Sequence, residues 1–423
     1  MKRIHVFTSA ACNYIPKVRA LAESIRKWHP EWVFHLALSD RVPTGRDLSS
    51  ESFDEVHPAE NLGIPDFIGW AFCHSIVELS TAIKPFLLMQ LLEREDCEGV
   101  VYLDPDTVVF SRLDEVVEVM SDANVALTPH QVTPETGLAA VMDNEVGSLK
   151  HGIYNLGFIA VSATEVGRSF ARWWADRAYY FCRAEISHGL FTDQRWIDLV
   201  PAFFEGVAIL RTSRLNVATW NLTTRELSGD APSDVRVDGL PLGFYHFTGF
   251  DSGAHRVMMH KNALGNKTVL ALVNWYAQLT ARANDDPLSR VPWAYGEFAD
   301  GSPIAAPMRL IYRERLDLQR VFPNPFGVEG GGYRSWWNSQ GRVEYPKLFD
   351  DASVDAEMHR LKGMLTPGFR AGQVDQQLNA RMISAQLVQA MTDSAHRAKL
   401  LRRTWEILRT EGYRGITRRL SSP

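Results

Sequence analysis

The chain has 423 residues, 45% hydrophobic and 22% charged, with 45 Lys and Arg against 50 Asp and Glu for a net charge of −5. That length predicts two or three domains with enough core to fold unaided, and the acid excess argues against a nucleic-acid partner. No apolar stretch is long enough to span a bilayer. The basic start followed by the run at 4–7 is too short for a signal peptide. Cys12, Cys73, Cys97 and Cys182 are too irregularly spaced for a cysteine zinc cage or a disulfide scaffold, so a cytoplasmic protein with free thiols is expected.

Residues 4–8 read as a first strand, and 16–28 as a helix with Val18, Leu21, Ile25 and Trp28 on one face and Pro16 in its first turn. A strand over 32–38, a buried helix over 81–92 and a continuous apolar strand over 99–103 follow. Short strands are expected at 108–110, 125–127 and 158–161, with a helix over 113–120. Ser162 and Glu165 have the spacing of a capping box opening a helix through about 182. A short helix at 193–199, strands at 207–210 and 243–247, and a helix over 268–282 complete the first part. This alternation predicts an α/β fold with a largely parallel sheet, whose ligands sit beyond the carboxyl ends of the strands.

The first domain is expected to end near 283. Residues 284–346 are rich in Pro, Gly and aromatics, and are expected to be irregular but packed on that domain. Core packing is the first reading of Trp336 and Trp337, with a sugar-stacking acceptor surface as the alternative. Residues 347–423 read as helices. Beyond 395 a basic amphipathic stretch (Arg397, Arg402, Arg403, Arg409, Arg418 and Arg419 against Leu401, Trp405 and Leu408) suits either a solvated helix face or peripheral contact with an anionic membrane.

The chemistry concentrates at Val100-Val101-Tyr102-Leu103-Asp104-Pro105-Asp106. Here an apolar strand runs into two carboxylates one residue apart. If the extended geometry persists, Asp104 and Asp106 point the same way. Like charges so close call for a cation between them, and hard oxygen ligands suit Mg²⁺ or Mn²⁺ with positions left for phosphate. The plainer alternative is a solvated turn around Pro105.

Several further segments fall in one order: Phe7-Thr8-Ser9 with Asn13-Tyr14, then Lys84, the Asp104-Pro105-Asp106 motif, Tyr154-Asn155-Leu156-Gly157, Thr192-Asp193-Gln194, and Tyr245-His246-Phe247-Thr248-Gly249. Over about residues 1–275 the chain resembles the GT-A glycosyltransferases, closest to the family of glycogenin and bacterial lipopolysaccharide sugar transferases (family 8-like). The resemblance implies a nucleotide-diphosphate sugar donor, a UDP-sugar first among them, and a saccharide or lipid-linked glycan acceptor in bacterial cell-surface polysaccharide synthesis. It implies metal ligation by Asp104, Asp106 and His246, nucleotide contacts by Thr8, Ser9, Tyr14 and Lys84, and sugar contacts by Asn155, Asp193 and Gln194. Retention of anomeric configuration is favoured; were the reaction inverting, Asp193 is the candidate general base. The family's Lys after His-Phe-x-Gly is replaced by Ser252, leaving His255, Arg256 or Lys84 to face the leaving diphosphate.

Two other readings compete. Leu103-Asp104-Pro105-Asp106-Thr107 also resembles the haloacid-dehalogenase phosphatases, although their motif opens the fold and needs a later carboxylate pair, for which Asp285-Asp286 follows a helix rather than a strand. A non-catalytic carbohydrate-binding protein on a GT-A fold is the second.

Overall fold

The structure, a computed structural model, describes residues 2–43 and 45–365. In chain order the strands are β1 (Arg3–Ala10), β2 (Val33–Leu38), β3 (Glu55–Pro58), β4 (Cys97–Leu103), β5 (Thr107–Val109), β6 (Val125–Pro129) and β7 (Tyr154–Ser162). A small hairpin, β8 (Arg183–Glu185) with β9 (Leu190–Thr192), precedes β10 (Val207–Ile209). The antiparallel trio β11 (Leu227–Asp230), β12 (Asp234–Val237) and β13 (Leu240–Pro241) then leads to β14 (Phe244–His246).

Seven strands form the central sheet in the order β10-β6-β7-β4-β1-β2-β3. Neighbours are parallel except where β7 runs against β4 and β6. The expected mainly parallel α/β sheet is therefore present. The reason is visible in β1 and β4, whose apolar runs are buried on both faces, as strands between two helical layers must be. One face carries Phe7, Val100 and Tyr102 against the helices Lys84–Leu92 and Glu165–Phe181. The other carries Val6, Val101 and Leu103 against the helices Ile15–Trp28 and Asp114–Asp122.

Three local expectations change. The helix read over 81–92 is two helices, Ile76–Ala82 and Lys84–Leu92. Pro85, in the first turn of the second, cannot donate the hydrogen bond a continuous helix needs. The cap before Glu165 is Thr164, whose hydroxyl accepts from Gly167 N, not Ser162. Ser162 ends β7 and donates to the carbonyls of Met120 and Ala123. Lastly, the segment after 284 is not irregular throughout, since it contains the helices Ala306–Glu314, Leu316–Val321 and Tyr333–Trp336.

Phe72 gathers the aromatics of this later segment, with Tyr312, Phe326 and Tyr333 edge-on at 5.1, 5.1 and 5.4 Å between ring centres. Arg309 donates to the carbonyls of Phe72, His74 and Tyr295, and Arg183 pairs with Glu314 in the buried interior. Trp337 is buried, so it presents no open face to a sugar. Described residues through Gly341 form one compact unit, and those over 342–365 belong to a second. In the second, Arg342 lies over the Phe349 ring and the helix Val354–Leu365 follows. Most of the expected C-terminal helical region, including its basic amphipathic stretch, lies outside the described residues. Among the described residues no helix is long and apolar enough to cross a membrane.

His255 is 1% exposed, and burial pushes its pKa down to about 4. The unfolded chain then binds a proton between pH 6.5 and 4 that the native state refuses. Its stabilising contribution is therefore complete above pH 6.5 and is lost as the pH falls toward 4, up to about 3 kcal/mol. Urea unfolding at pH 7.5, 6 and 5 should show the fall, and His255→Gln should make it shallower by the share of that one residue, the other buried histidines keeping theirs.

Candidate active site

β1, β2 and β3 are laid down in one direction across the sheet, and the chain then returns to place β4 on the other side of β1. The carboxyl ends of β1 and β4 thus flank the point where strand order reverses, which opens a crevice suited to ligands. The predicted residues meet here.

β4 stops at Leu103. Thr107 N donates to Asp104 O at 3.0 Å, closing a turn over residues 104–107 with Pro105 in second position. The two carboxylates converge through this turn, not through strand alternation as the sequence suggested. β5 then pairs antiparallel with β14, with His246 opposite Thr107, and Phe247 N donates to Asp106 O at 2.9 Å. This register sets His246 Nε2 3.1 Å from Asp106 Oδ1 and 3.5 Å from Asp104 Oδ2. The three residues offer one ligand atom each within 4.8 Å of one another.

The ring of His246 is fixed from behind. Its Nδ1 lies 3.2 Å from Asn155 Oδ1, which puts the proton on Nδ1 and turns the Nε2 lone pair toward the carboxylates. Asn155 Oδ1 also accepts from Gly157 N at 2.9 Å and Asn216 Nδ2 at 3.0 Å, and its Nδ2 reaches His130 Nε2 at 3.1 Å and Gln194 Oε1 at 3.4 Å. This uses all the hydrogen-bonding capacity of the amide. Gln194 is similarly committed, accepting from Leu156 N and donating to His151 O. The amides of Asn155 and Gln194, expected to contact the sugar, are thus engaged by protein groups, with one Nε2 hydrogen of Gln194 left over. Gly157 explains its own presence: a Cβ there would stand 2.3 Å from His246 Nδ1.

Lys84 is buried, with Nζ 3.2 Å from Asp104 Oδ1, 3.5 Å from Asp193 Oδ2 and 4.3 Å over the Tyr102 ring. Tyr102 donates its hydroxyl to the same Asp104 oxygen. Burial disfavours the charges, but Lys84, His246 and Tyr102 outweigh it at Asp104 and hold its pKa below the ordinary value. At His246 the opposition of burial is overcome by Asp106 and Asp104, which raise its pKa. Asp193 goes the other way: burial dominates the Lys84 attraction and raises it to about 6. Its Oδ2 has no hydrogen-bond donor, and its side chain does not cap the helix Gln194–Ile197 that follows it.

At the end of β1, Thr8 Oγ1 is buried without a partner, whereas Ser9 Oγ is spent on Ser80 O at 2.5 Å. Tyr14 is half-buried with Lys17 5.0 Å over its ring, and burial, then the charge of Asp106, raises its hydroxyl pKa. Ser252 donates to Gly249 O in an exposed turn. His255 cannot stand in for the missing cation, since it is buried and neutral, with Thr248 O and the Tyr245 hydroxyl against its nitrogens. Arg256 lies exposed on the helix Ala254–Ala263.

Tyr102, His130, Asn216 and Trp220, whose ring stands edge-on to His246 at 5.5 Å, were not foreseen. Only Tyr102, adjoining the carboxylate motif, carried a local signal. A separate cavity of about 700 Å³, lined by Trp70, Tyr179, Arg183, Arg313 and Arg320, includes Cys182 in its wall. The charges of Asp193 and Lys84 act on that thiol.

No family model matches the chain. It is similar to two uncharacterised proteins of Bacillus subtilis (strain 168): YfnF, 27% identical over 176 residues (41% of this chain, 57% of the relative), and YfnD, 25% identical over 202 residues (47% and 61%). The chain thus spans less than two thirds of the length of these curated relatives. Among solved structures it is similar to the galactosyltransferase LgtC in complex with donor and acceptor sugar analogues, at 18% identity and a TM-score of 0.40 over 67% of this chain and 97% of that one. It is also similar to the apo-form glycosyltransferase GlyE of Streptococcus pneumoniae (14%, 0.37, 66% and 64%) and to the bifunctional WbbM (14%, 0.36, 68% and 50%).

Gly157→Ala forces the His246 ring out of line while leaving both carboxylates in place. Mn²⁺ affinity, followed by the loss of the free-ion paramagnetic resonance signal, should drop about tenfold or more, the range for loss of a ligand-orienting contact. The urea midpoint should move far less than in a core truncation.

Proposed function

We propose that this chain is a glycosyltransferase that moves a sugar from a nucleoside-diphosphate sugar, a UDP-sugar first among the candidates, to a saccharide or lipid-linked glycan acceptor. One observation carries the reading. Two carboxylates and an imidazole of fixed tautomer face one another at the switch point of an α/β sheet. Their chemistry fits Mn²⁺ or Mg²⁺: oxygen donors predominate, and the single nitrogen is held by a second residue as metal-ligating histidines are. Asp104, Asp106 and His246 would hold the ion, which when bound supplies Lewis-acid stabilisation of the departing diphosphate.

The chain's own residues divide the remaining work. Lys84 balances Asp104 and Asp193 in a buried setting, so the donor meets a site whose charges are already oriented. Asp193, whose Oδ2 accepts no hydrogen bond and lies 3.5 Å from Lys84 Nζ, is the group for a donor-sugar hydroxyl. Its pKa near 6 also suits it to accept an acceptor proton if transfer inverts the anomeric centre. Retention remains the favoured outcome on the motif resemblance. Thr8 Oγ1, buried and unpaired, and the Tyr14 ring lie at the end of β1 where the nucleotide is expected. Asn155, Gln194 and Gly157 act through His246 and β7. The place in cell-surface polysaccharide synthesis and the contact with a membrane rest on the sequence alone.

The phosphatase reading loses its second carboxylate pair. Asp286 accepts from Leu288 N and is bound to Arg19 at 2.7 Å, away from Asp104. The carbohydrate-binding alternative is separated by turnover.

A panel of nucleotide sugars, with and without Mn²⁺, should give a metal-dependent rise in melting temperature and slow donor hydrolysis. Asp104→Asn and Asp106→Asn should each lower that hydrolysis by about 10²-fold or more with the fold intact. Donor binding and hydrolysis that persist in both variants and in chelator would sink the proposal.

A further inference from the structure

A second cluster of ligand-type side chains lies on the opposite flank of β1, toward the edge of the sheet. The pairing register sets Phe7 beside His35, His35 beside Glu55 and Ala37 beside His57. The two-residue strand period then places His5 of β1, His35 of β2, and Glu55 and His57 of β3 on one face. Three of them converge. His35 Nδ1 is 3.1 Å from His57 Nε2 and 3.8 Å from Glu55 Oε2, and His57 Nε2 is 3.6 Å from that oxygen. All three ligand atoms fall within 4.8 Å of one another. Ligands bonded at about 2.0–2.1 Å in a tetrahedral array stand about 3.3 Å apart, so these separations bracket the edge of such a tetrahedron.

The surroundings are arranged as a metal-bound histidine requires. A ligand that gives its Nδ1 lone pair must carry its proton on Nε2 and needs an acceptor there. His35 Nε2 meets His5 Nδ1 at 2.8 Å. That in turn places the His5 proton on Nε2, an atom that is fully buried, has no hydrogen-bond partner, and lies 3.6 Å from Asp96 Oδ1. The result is a line of carboxylate, imidazole and imidazole, hydrogen-bonded between the rings and in charge contact at the Asp96 end. Arg94 bonds both Glu55 and Asp96. One cation against two carboxylates leaves the cluster with one net negative charge. The side chains of His57 and Glu55 are 20% and 37% exposed, which gives an ion a way in and leaves a coordination position toward solvent.

We propose that His35 Nδ1, His57 Nε2 and Glu55 form a second metal site, selective for a borderline cation of the zinc type and oriented by the Asp96–His5 line. Two imidazoles and one carboxylate favour Zn²⁺ or Co²⁺ over Mn²⁺ or Mg²⁺. An ion there ties the short edge strand β3 to β2. The cysteine count gave no hint of it, because no thiol takes part. The proposal is independent of the reading of Asp104, Asp106 and His246.

The test uses the full chain carrying Asp104→Asn and Asp106→Asn, so that the other donor set is removed. After dialysis against Zn²⁺ and then metal-free buffer, about one zinc per chain should remain by mass spectrometry. Co²⁺ should give a visible band of low-coordinate type. Adding His57→Ala should weaken zinc at least tenfold, and Asp96→Asn, which is no ligand and acts through His5 and Arg94, about tenfold. Circular dichroism without metal checks that each variant is folded, and Glu55→Gln, at a more exposed position, serves in place of His57→Ala should that variant unfold. Failure of the Asp104/Asp106 variant to bind zinc or cobalt overturns the site. So does undiminished binding when His57 or Glu55 is changed, which leaves a hydrogen-bonded histidine chain only.

Discussion

The antiparallel pairing of β5 with β14 is the constraint on which the site depends. It sets His246 opposite Thr107 and so brings an imidazole from late in the chain against two carboxylates from its first quarter. Asp104, Asp106 and Asp193 bring three negative charges into a partly enclosed crevice, where Lys84 is the full-time cation beside Asp104 and Asp193. Like charges at such range raise one another's cost of ionisation unless positive charge is supplied. The acidic pole is therefore arranged to receive a cation, and the neighbouring groups hold its members still. Tyr102 pins Asp104, Asn155 pins His246, and Gly157 leaves the space the imidazole occupies.

The same economy runs through the second part of the compact unit. Asp40, just after β2, accepts from Cys12 N, Arg41 N and Ala294 N. One buried carboxylate thereby joins the turn that follows β1, the loop that follows β2, and a segment some 250 residues later in the chain. Trp293 adds a hydrogen bond to Ser39 O. The aromatic segment after the helix Lys267–Asn284 is thus a brace for the loops at the carboxyl edge of the sheet. Its buried Arg309 donates to three carbonyls, and its Glu314 pairs with Arg183 of β8. Irregular backbone is held here in part by a charged donor, where a helix or strand would satisfy itself.

The two ligand clusters differ in kind. At the carboxyl edge oxygen donors predominate, with a single nitrogen; beside the edge strand nitrogen predominates, with a single carboxylate. Softness and donor count separate the ions each prefers, and the two sets arise differently, one from a turn and the β5–β14 pairing and the other from side-chain alternation across β2 and β3.

Local chemistry alone determined much of this protein. The apolar runs at β1 and β4, the helix opened by Pro16, and the carboxylates placed just after a buried strand follow from burial period and backbone stereochemistry, which act within a few residues. Only the tertiary structure decided the rest. The engagement of the Asn155 and Gln194 amides by His130, His246 and neighbouring backbone groups is one such feature, which nothing in the sequence shows. Asn216, His130 and Trp220 have no motif, since their contacts join residues 25 to 91 apart in the chain. His5, His35 and His57 look like isolated core histidines until strand order makes them neighbours. Hydrogen-bond saturation and cross-strand adjacency are properties of which strand lies beside which, and no short-range period encodes that.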